Sequence, residues 1–172
     1  MPRQDGNPVA VILGEGAVSE DKSAVYERVT RELEAVLEGE ADRGARMATT
    51  ACLLAHAFPD RIWTGFYVVD PAKPDELVVG PYQGTLGCLR IPFGRGVCGT
   101  AALTGRSQVV GDVHDFPGHI ACDSRSVSEI VVPVRDSRGE LFAVLDIDSP
   151  EADSFGEIDR QALEALVGRV FG

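Results

Sequence analysis

Residues 80–149 decide the fold, and they read GPYQGTLGCLRIPFGRGVCGTAALTGRSQVVGDVHDFPGHIACDSRSVSEIVVPVRDSRGELFAVLDIDS. Short apolar runs of strand length alternate here with Gly-rich and polar turns. Only residues 94–105, GRGVCGTAALTG, suit a short helix that ends at a glycine. The last two runs, 128–135 and 140–147, are joined by Asp-Ser-Arg-Gly, a hairpin signal. The stretch therefore predicts antiparallel strands interrupted by one short helix.

The flanking sequence predicts helices on either side of these strands. Apolar residues recur at helical spacing from Ser23 to about Gly39 and again over 41–57, and a strand follows at 61–70. Ser154 and Glu157 form a capping box that predicts a C-terminal helix. The fold class is therefore α+β, with a central antiparallel sheet and the N- and C-terminal helices packed on one face.

Composition and charge exclude several classes of protein. The chain has 172 residues, 44% hydrophobic and 25% charged, which suits one globular domain. The net charge of −11 argues against nucleic-acid or membrane binding, because both partners are negatively charged. Without a signal peptide or a membrane-spanning run, the protein is expected to be cytoplasmic, where thiols stay reduced.

Three of the four cysteines, Cys88, Cys98 and Cys122, fall inside the deciding stretch. Free cysteines are commonly buried and inert, but three thiols could also supply the nucleophile and resolving groups of a sulfur redox reaction. A metal site made of Cys98, Cys122 and His119 is a third interpretation, disfavoured because short-range ligand pairs are missing. The fourth cysteine, Cys52, lies beside the apolar stripe of the second helix and is predicted to fill the core.

Three carboxylates lie on otherwise apolar strands: Glu129 in SEIVVPV, and Asp146 and Asp148 in LFAVLDIDS. A carboxylate in such a position is costly unless it is paired or hydrogen-bonded, although strand ends that reach solvent would also explain it. Acids that converge beside a thiol could bind an ammonium group and could deliver a proton. Asp112 is a weaker candidate for the same site.

An aromatic strand, RIWTGFYVVD, places Trp63, Gly65 and Tyr67 on one face by period-two counting. The glycine predicts a gap between the two rings. From the strand alone, a ligand cavity and an aromatic pair in the core are equally good explanations.

The ordered motifs WTGFY, GPYQG, RIPFGRGVCG, DVHDFPGHIAC, SEIVVP and VLDIDS resemble the free methionine-(R)-sulfoxide reductase family. These proteins are thiol enzymes built on a GAF fold. The resemblance spans about residues 25–171 and is dense over 63–149. It implies a GAF-like reductase domain at 23–172, preceded by a loose N-terminal extension at 1–22.

The family resemblance implies reduction of free L-methionine-(R)-sulfoxide to methionine through a cysteine sulfenic acid and an intramolecular disulfide. Thioredoxin would supply the electrons, with neither cofactor nor metal. The implied catalytic residues are Cys122, Cys98 and Cys88, and the implied substrate-binding residues are Trp63, Tyr67, Glu129, Asp146 and Asp148.

The residues themselves leave the attacking thiol open. Cys122 lies in a loop three residues after His119, and loops present reactive groups to substrates. Cys98 follows glycines at a predicted helix N-terminus, which would favour its thiolate. We favour Cys122 as the nucleophile, with Cys98 as the alternative.

A different class of function also fits this fold. GAF domains often serve as small-molecule sensors, and the same thiols could form a redox switch without turnover. GAF domains also often dimerise through helices, so a homodimer is compatible with the sequence. Turnover distinguishes the enzyme from both alternatives.

Overall fold

The computed structural model describes residues 21–119 and 123–172, and its centre is a six-stranded antiparallel sheet. Most of the predicted N-terminal extension therefore lies outside the described residues. The strand order across the sheet is β3-β2-β1-β6-β5-β4. The strands are β1 (Trp63–Asp70), β2 (Lys73–Gly84), β3 (Arg90–Pro92), β4 (Gln108–Val110), β5 (Ser128–Arg135) and β6 (Leu141–Ser149).

Helices cover both faces of the sheet, but unequally. The long first, second and last helices pack together on one face, and the short third helix packs on the other. This arrangement confirms the predicted fold class. In the described part of the chain, none of the helices is long and apolar enough to cross a membrane. The helices are α1 (Lys22–Val36), α2 (Arg43–Ala57), α3 (Gly96–Thr104) and α4 (Glu157–Phe171), with a 3₁₀ turn at Val113–Asp115.

Side chains of the central strands alternate between the two faces of the sheet and so contribute to two separate buried clusters. Phe66 on β1 and Leu145 on β6 are fully buried against the long helices. Trp63 and Tyr67 point to the opposite face, towards α3. Because successive side chains on a strand face opposite sides, the same alternation places Asp146 with this second group.

The element boundaries differ from the predicted ones where capping is concerned. The helical spacing predicts a start at Ser23, whereas helix α1 begins at Lys22 with Asp21 as its N-cap. Helix α4 begins at Glu157, and the Asp159 carboxylate accepts a hydrogen bond of 2.9 Å from the N–H of Gly156. That bond replaces the capping box expected at Ser154, and it satisfies one of the free N–H groups of the first turn.

Gly65 does not leave the gap that the sequence predicts. A Cβ at Gly65 would lie 2.2 Å from the Cβ of Tyr82, so strand β2 fills the space beside it. The rings of Trp63 and Tyr67 stack directly, with centroids 5.3 Å apart, and the ring of Tyr82 also stacks on Trp63, with centroids 5.2 Å apart. Glycine is needed at position 65 because β1 and β2 approach too closely for a side chain.

Gly65→Val is therefore expected to disrupt the β1–β2 pairing, and not merely to block a cavity. Since the overlap is with strand backbone as well as with Tyr82, we expect a loss of at least about 3 kcal/mol in the free energy of unfolding. Gly168→Ala is the matched control, because a Cβ at this helical glycine meets nothing within 4 Å. In urea unfolding, Gly168→Ala should be more stable than the wild type, because alanine is favoured over glycine inside a helix. A Gly65→Val protein as stable as the wild type would contradict the close approach of β1 and β2.

The prediction that Cys52 fills the core is wrong. Its position on α2 is exposed, whereas Ala51 and Leu54 are the residues of that segment that face the core. The free thiol of Cys52 therefore belongs to the outer surface of α2.

Candidate active site

A cleft lies between the α3-facing side of the sheet and the loops that follow β2 and the 3₁₀ turn. It brings together six of the residues predicted for the site, together with residues that sequence reasoning did not select. The predicted ones are Trp63, Tyr67, Cys98, Glu129, Asp146 and Asp148.

Sheet register explains why the three carboxylates meet. Glu129 on β5 pairs directly with Asp148 on β6, and Trp63 on β1 is the partner of Asp148 on its other side. Asp146 lies two residues earlier on β6 and therefore on the same face. The register therefore concentrates three acidic groups at this point of the sheet. Like charges at paired positions of neighbouring strands repel each other, so ionising all three is unfavourable.

Burial raises the pKa of all three carboxyl groups, so each stays neutral to a higher pH than an exposed carboxyl group would. Burial, followed by the charge of Asp148, raises the pKa of Glu129 well above its ordinary value. Burial and both neighbouring acids do the same for the pKa of Asp146. Burial raises the pKa of Asp148 to about 6, although a 2.5 Å hydrogen bond from Ser126 favours its ionised form. The cleft therefore holds acids that can donate protons near neutral pH.

Cys98 is buried in the first turn of α3, with its Sγ 3.7 Å from Oε1 of Glu129. Burial, followed by the charges of Asp146 and Glu129, raises the pKa of this thiol well above its ordinary value. The prediction that the helix N-terminus activates Cys98 is therefore wrong. Desolvation and two nearby carboxylates outweigh the helix dipole, because both act at shorter range on a buried group.

Cys88 lies in the loop between β2 and β3 and is disulfide-bonded, whereas Cys52 and Cys98 are free thiols. Burial raises the pKa of the Tyr67 hydroxyl, and the backbone of Cys88 opposes this shift. Gly87 lets the loop lie on the aromatic wall, since a Cβ there would come within 2.7 Å of that hydroxyl oxygen. Cys122, the favoured nucleophile, lies outside the described residues.

Three buried polar atoms of the described residues have no hydrogen-bond partner: Trp63 Nε1, His119 Nδ1 and Asp146 Oδ1. All three belong to residues that line the cleft. Unpartnered buried polar atoms are costly, so their convergence on one cavity indicates that a polar ligand completes their hydrogen bonding.

Sequence reasoning missed the polar residues that follow residue 122. Ser126 donates to Asp148, and the hydroxyl of Thr85 donates to Oδ2 of Asp123 at 2.6 Å. This second bond joins the loop that carries Cys88 to the residue that follows Cys122. Local patterns give no signal for contacts between residues 38 positions apart, and only the motif order could have drawn attention to them.

Asp112 does not line the cleft. Its carboxylate accepts a hydrogen bond from the N–H of His114 and lies 2.7 Å from Nδ1 of the same histidine. These contacts lower the pKa of Asp112 and account for it as the cap of the 3₁₀ turn. The structure therefore gives no support to Asp112 as a substrate-binding residue.

Asp148→Asn is expected to stabilise the protein in a pH-dependent way. The pKa of Asp148 in the folded protein, about 6, lies above the ordinary 3.8, so wild-type stability falls as the pH rises from about 4 to 6. We expect the free energy of unfolding of the variant to exceed that of the wild type by about 1–3 kcal/mol above pH 7 and by almost nothing below pH 4. Urea unfolding of both proteins from pH 4 to pH 7 measures this difference, and Asp115→Asn serves as an exposed control. A gain that is constant with pH would contradict the burial argument.

Comparison with known proteins identifies the family. The GAF domain family matches residues 21–170. The protein YtsP of Bacillus subtilis is 48% identical over 145 residues, which is 84% of this chain and 88% of that protein. The free methionine-R-sulfoxide reductase of Escherichia coli is 43% identical over 150 residues, covering 87% of this chain and 88% of the relative.

Comparison with a solved structure places the chain beside the same reductases. The free methionine-R-sulfoxide reductase from Neisseria meningitidis, solved in complex with its substrate, is 47% identical with a TM-score of 0.83. The alignment covers 88% of this chain and 89% of that one. The resemblance found from the ordered motifs is thus confirmed over nearly the whole described fold. The chain belongs to the GAF domain family and is a close relative of its free methionine-R-sulfoxide reductases.

Proposed function

We propose that this protein reduces free L-methionine-(R)-sulfoxide to methionine. The observation that carries the proposal is the convergence of Trp63 Nε1, His119 Nδ1 and Asp146 Oδ1, all buried and unpartnered, on one cleft beside a set of protonated acids. Free methionine sulfoxide is a small zwitterion, and its ammonium, carboxylate and sulfoxide groups could form hydrogen bonds with these unpartnered atoms. The identity to known reductases supports the same substrate.

In the first step, the Cys122 thiolate attacks the sulfur of the sulfoxide. The oxygen is protonated and passes to the cysteine, so methionine leaves and Cys122 becomes a sulfenic acid. The substrate sulfur gains two electrons and the cysteine sulfur loses them. The raised pKa of Cys98 supports the choice of Cys122, because a buried thiol that stays protonated is a poor nucleophile.

In the second step, a resolving thiol attacks the sulfenic acid, forms a disulfide and releases water. Cys88 is the first candidate, since it is disulfide-bonded in the structure, and Cys98 is the second. Thioredoxin in the cytoplasm then reduces the disulfide by thiol–disulfide exchange. The electrons thus come from a dithiol protein, and no bound cofactor takes part.

The acids and the aromatic wall have separate tasks in this proposal. Asp146 or Glu129, each held neutral by burial, donates the one proton that the sulfoxide oxygen takes up as it becomes a hydroxyl. Asp148, which titrates near pH 6, is ionised at neutral pH and accepts the substrate ammonium. Trp63 and Tyr67 contact the methyl end of the substrate, where stacked rings exclude water.

The direct test is NADPH consumption with thioredoxin, thioredoxin reductase and free methionine-(R)-sulfoxide. We expect turnover that depends on all three components and that is absent with the S epimer. A redox switch would instead consume about one equivalent of reductant per chain and stop. Such a stoichiometric result would reject the enzyme and favour the switch.

A further inference from the structure

The cluster formed by Cys98, Glu129 and Asp146 has the form of a metal site. One ligand atom from each residue lies within 4.8 Å of the other two, and all three residues are buried. They come from three separate elements, α3, β5 and β6, so the sheet register and the helix fix their relative positions.

We propose that Cys98, Glu129 and Asp146 bind a thiophilic divalent cation of the Zn²⁺ class. The separation of donor atoms suits this ion. In a tetrahedral site with Zn–S near 2.3 Å and Zn–O near 2.1 Å, sulfur and oxygen ligands lie about 3.6 Å apart. The Sγ of Cys98 is 3.7 Å from Oε1 of Glu129.

A second observation points to a ligand at the same place. Oδ1 of Asp146 is buried without a hydrogen-bond partner, and the residue is only 5% exposed. The carboxylate and the thiol both line the cleft, so a cation entering from the cleft meets them together. Such an ion would supply the missing contact of Oδ1, and its binding would release to solvent the protons that the thiol and the acids otherwise hold.

Ligand chemistry selects the class of cation. A thiolate is a soft ligand, whereas Mg²⁺ and Ca²⁺ prefer sites made only of oxygen. Two carboxylates and one thiolate suit Zn²⁺, Co²⁺ and Cd²⁺. Three protein ligands leave a fourth position open to the cleft, so the bound ion would occupy the space of the sulfoxide. This competition, unlike the binding itself, rests on the proposed function.

The test uses a protein in which Cys98 is the only thiol, made by Cys52→Ser, Cys88→Ser and Cys122→Ser. Titration with Co²⁺ is expected to give a thiolate charge-transfer band that saturates at one ion per chain. Zn²⁺ should remove the band, and a hundredfold excess of Mg²⁺ should not. This protein lacks the proposed nucleophile, so its metal binding is independent of catalysis.

Further variants assign the ligands. Glu129→Gln or Asp146→Asn in this background should weaken Co²⁺ binding at least tenfold, whereas Glu38→Gln, an exposed glutamate on the far side, should not change it. Adding Cys98→Ser should abolish the band. Equal binding by the Glu129→Gln, Asp146→Asn and Glu38→Gln proteins would overturn the assignment, as would the absence of a band in the parent.

A measurement on the reduced wild-type protein avoids the multiple substitutions. Zn²⁺ should slow alkylation of Cys98 at least tenfold, measured by mass spectrometry, while the exposed Cys52 serves as an internal control. Unchanged alkylation of Cys98 would overturn the proposal. Metal binding combined with no sulfoxide turnover would instead reject the proposed function and leave the cation site standing.

Discussion

Cys122→Ser is expected to abolish reduction of methionine sulfoxide completely, including the single stoichiometric turnover that needs no added reductant. The reason is that the substitution removes the attacking sulfur, and the remaining thiol of the cleft, Cys98, is held protonated by burial and by its acidic neighbours. The measurement is methionine released per chain by pre-reduced protein, determined by chromatography.

Three matched variants make this result decisive. Cys88→Ser and Cys98→Ser should each still release one methionine per chain, while recycling through thioredoxin slows. Cys52→Ser changes an exposed thiol on α2 and should leave every step unaltered. One equivalent of methionine from the Cys122→Ser protein would move the attack to Cys98.

Blocking the substrate amine is expected to reduce kcat/KM by about 10²–10⁴. Each charged hydrogen bond lost at a buried site costs about 1.5–3 kcal/mol, and the buried carboxylate left without a partner adds about 1–3 kcal/mol. Each decade in kcat/KM corresponds to about 1.4 kcal/mol. N-acetyl-methionine-(R)-sulfoxide retains the sulfoxide and loses the ammonium. The comparison of both substrates under identical conditions measures the effect.

Combining a substitution of Asp148 with the change of substrate identifies the carboxylate that accepts the ammonium group. Asp148→Asn should lower kcat/KM for the free amino acid but change it little for the N-acetyl compound, so the difference between the two substrates narrows. Glu140→Gln, an exposed carboxylate change, should leave the difference intact. Comparable efficiency of wild type on both substrates would reject ammonium binding and favour an oxidised protein as the substrate.

Local periodicity was sufficient to predict the sheet. Strand β5 has the predicted bounds because its apolar run is unbroken and turn residues flank it. The polar segment PAKPDE, residues 71–76, gives no strand signal in the sequence, yet β2 begins at Lys73, which pairs with Asp70 on β1. Polar composition alone cannot distinguish a turn from a paired strand end.

The sequence predicted six of the residues that line the cleft but not its electrostatics. Glu129, Asp146 and Asp148 stand out in sequence as acids on apolar strands, and the register brings them together. The charge state of Cys98 could not be predicted, because it depends on burial and on residues about 30 and 50 positions away. Helix position, the only local signal, predicted the wrong direction.

The stacked wall of the cleft has a spectroscopic consequence. Trp63 is the only tryptophan of the chain, and it stacks on both Tyr67 and Tyr82, with its buried indole N–H unpartnered. All tryptophan emission of this protein therefore originates at one wall of the candidate site. A ligand that accepts a hydrogen bond from that indole changes the emission directly, so occupancy can be titrated by intrinsic fluorescence without a label.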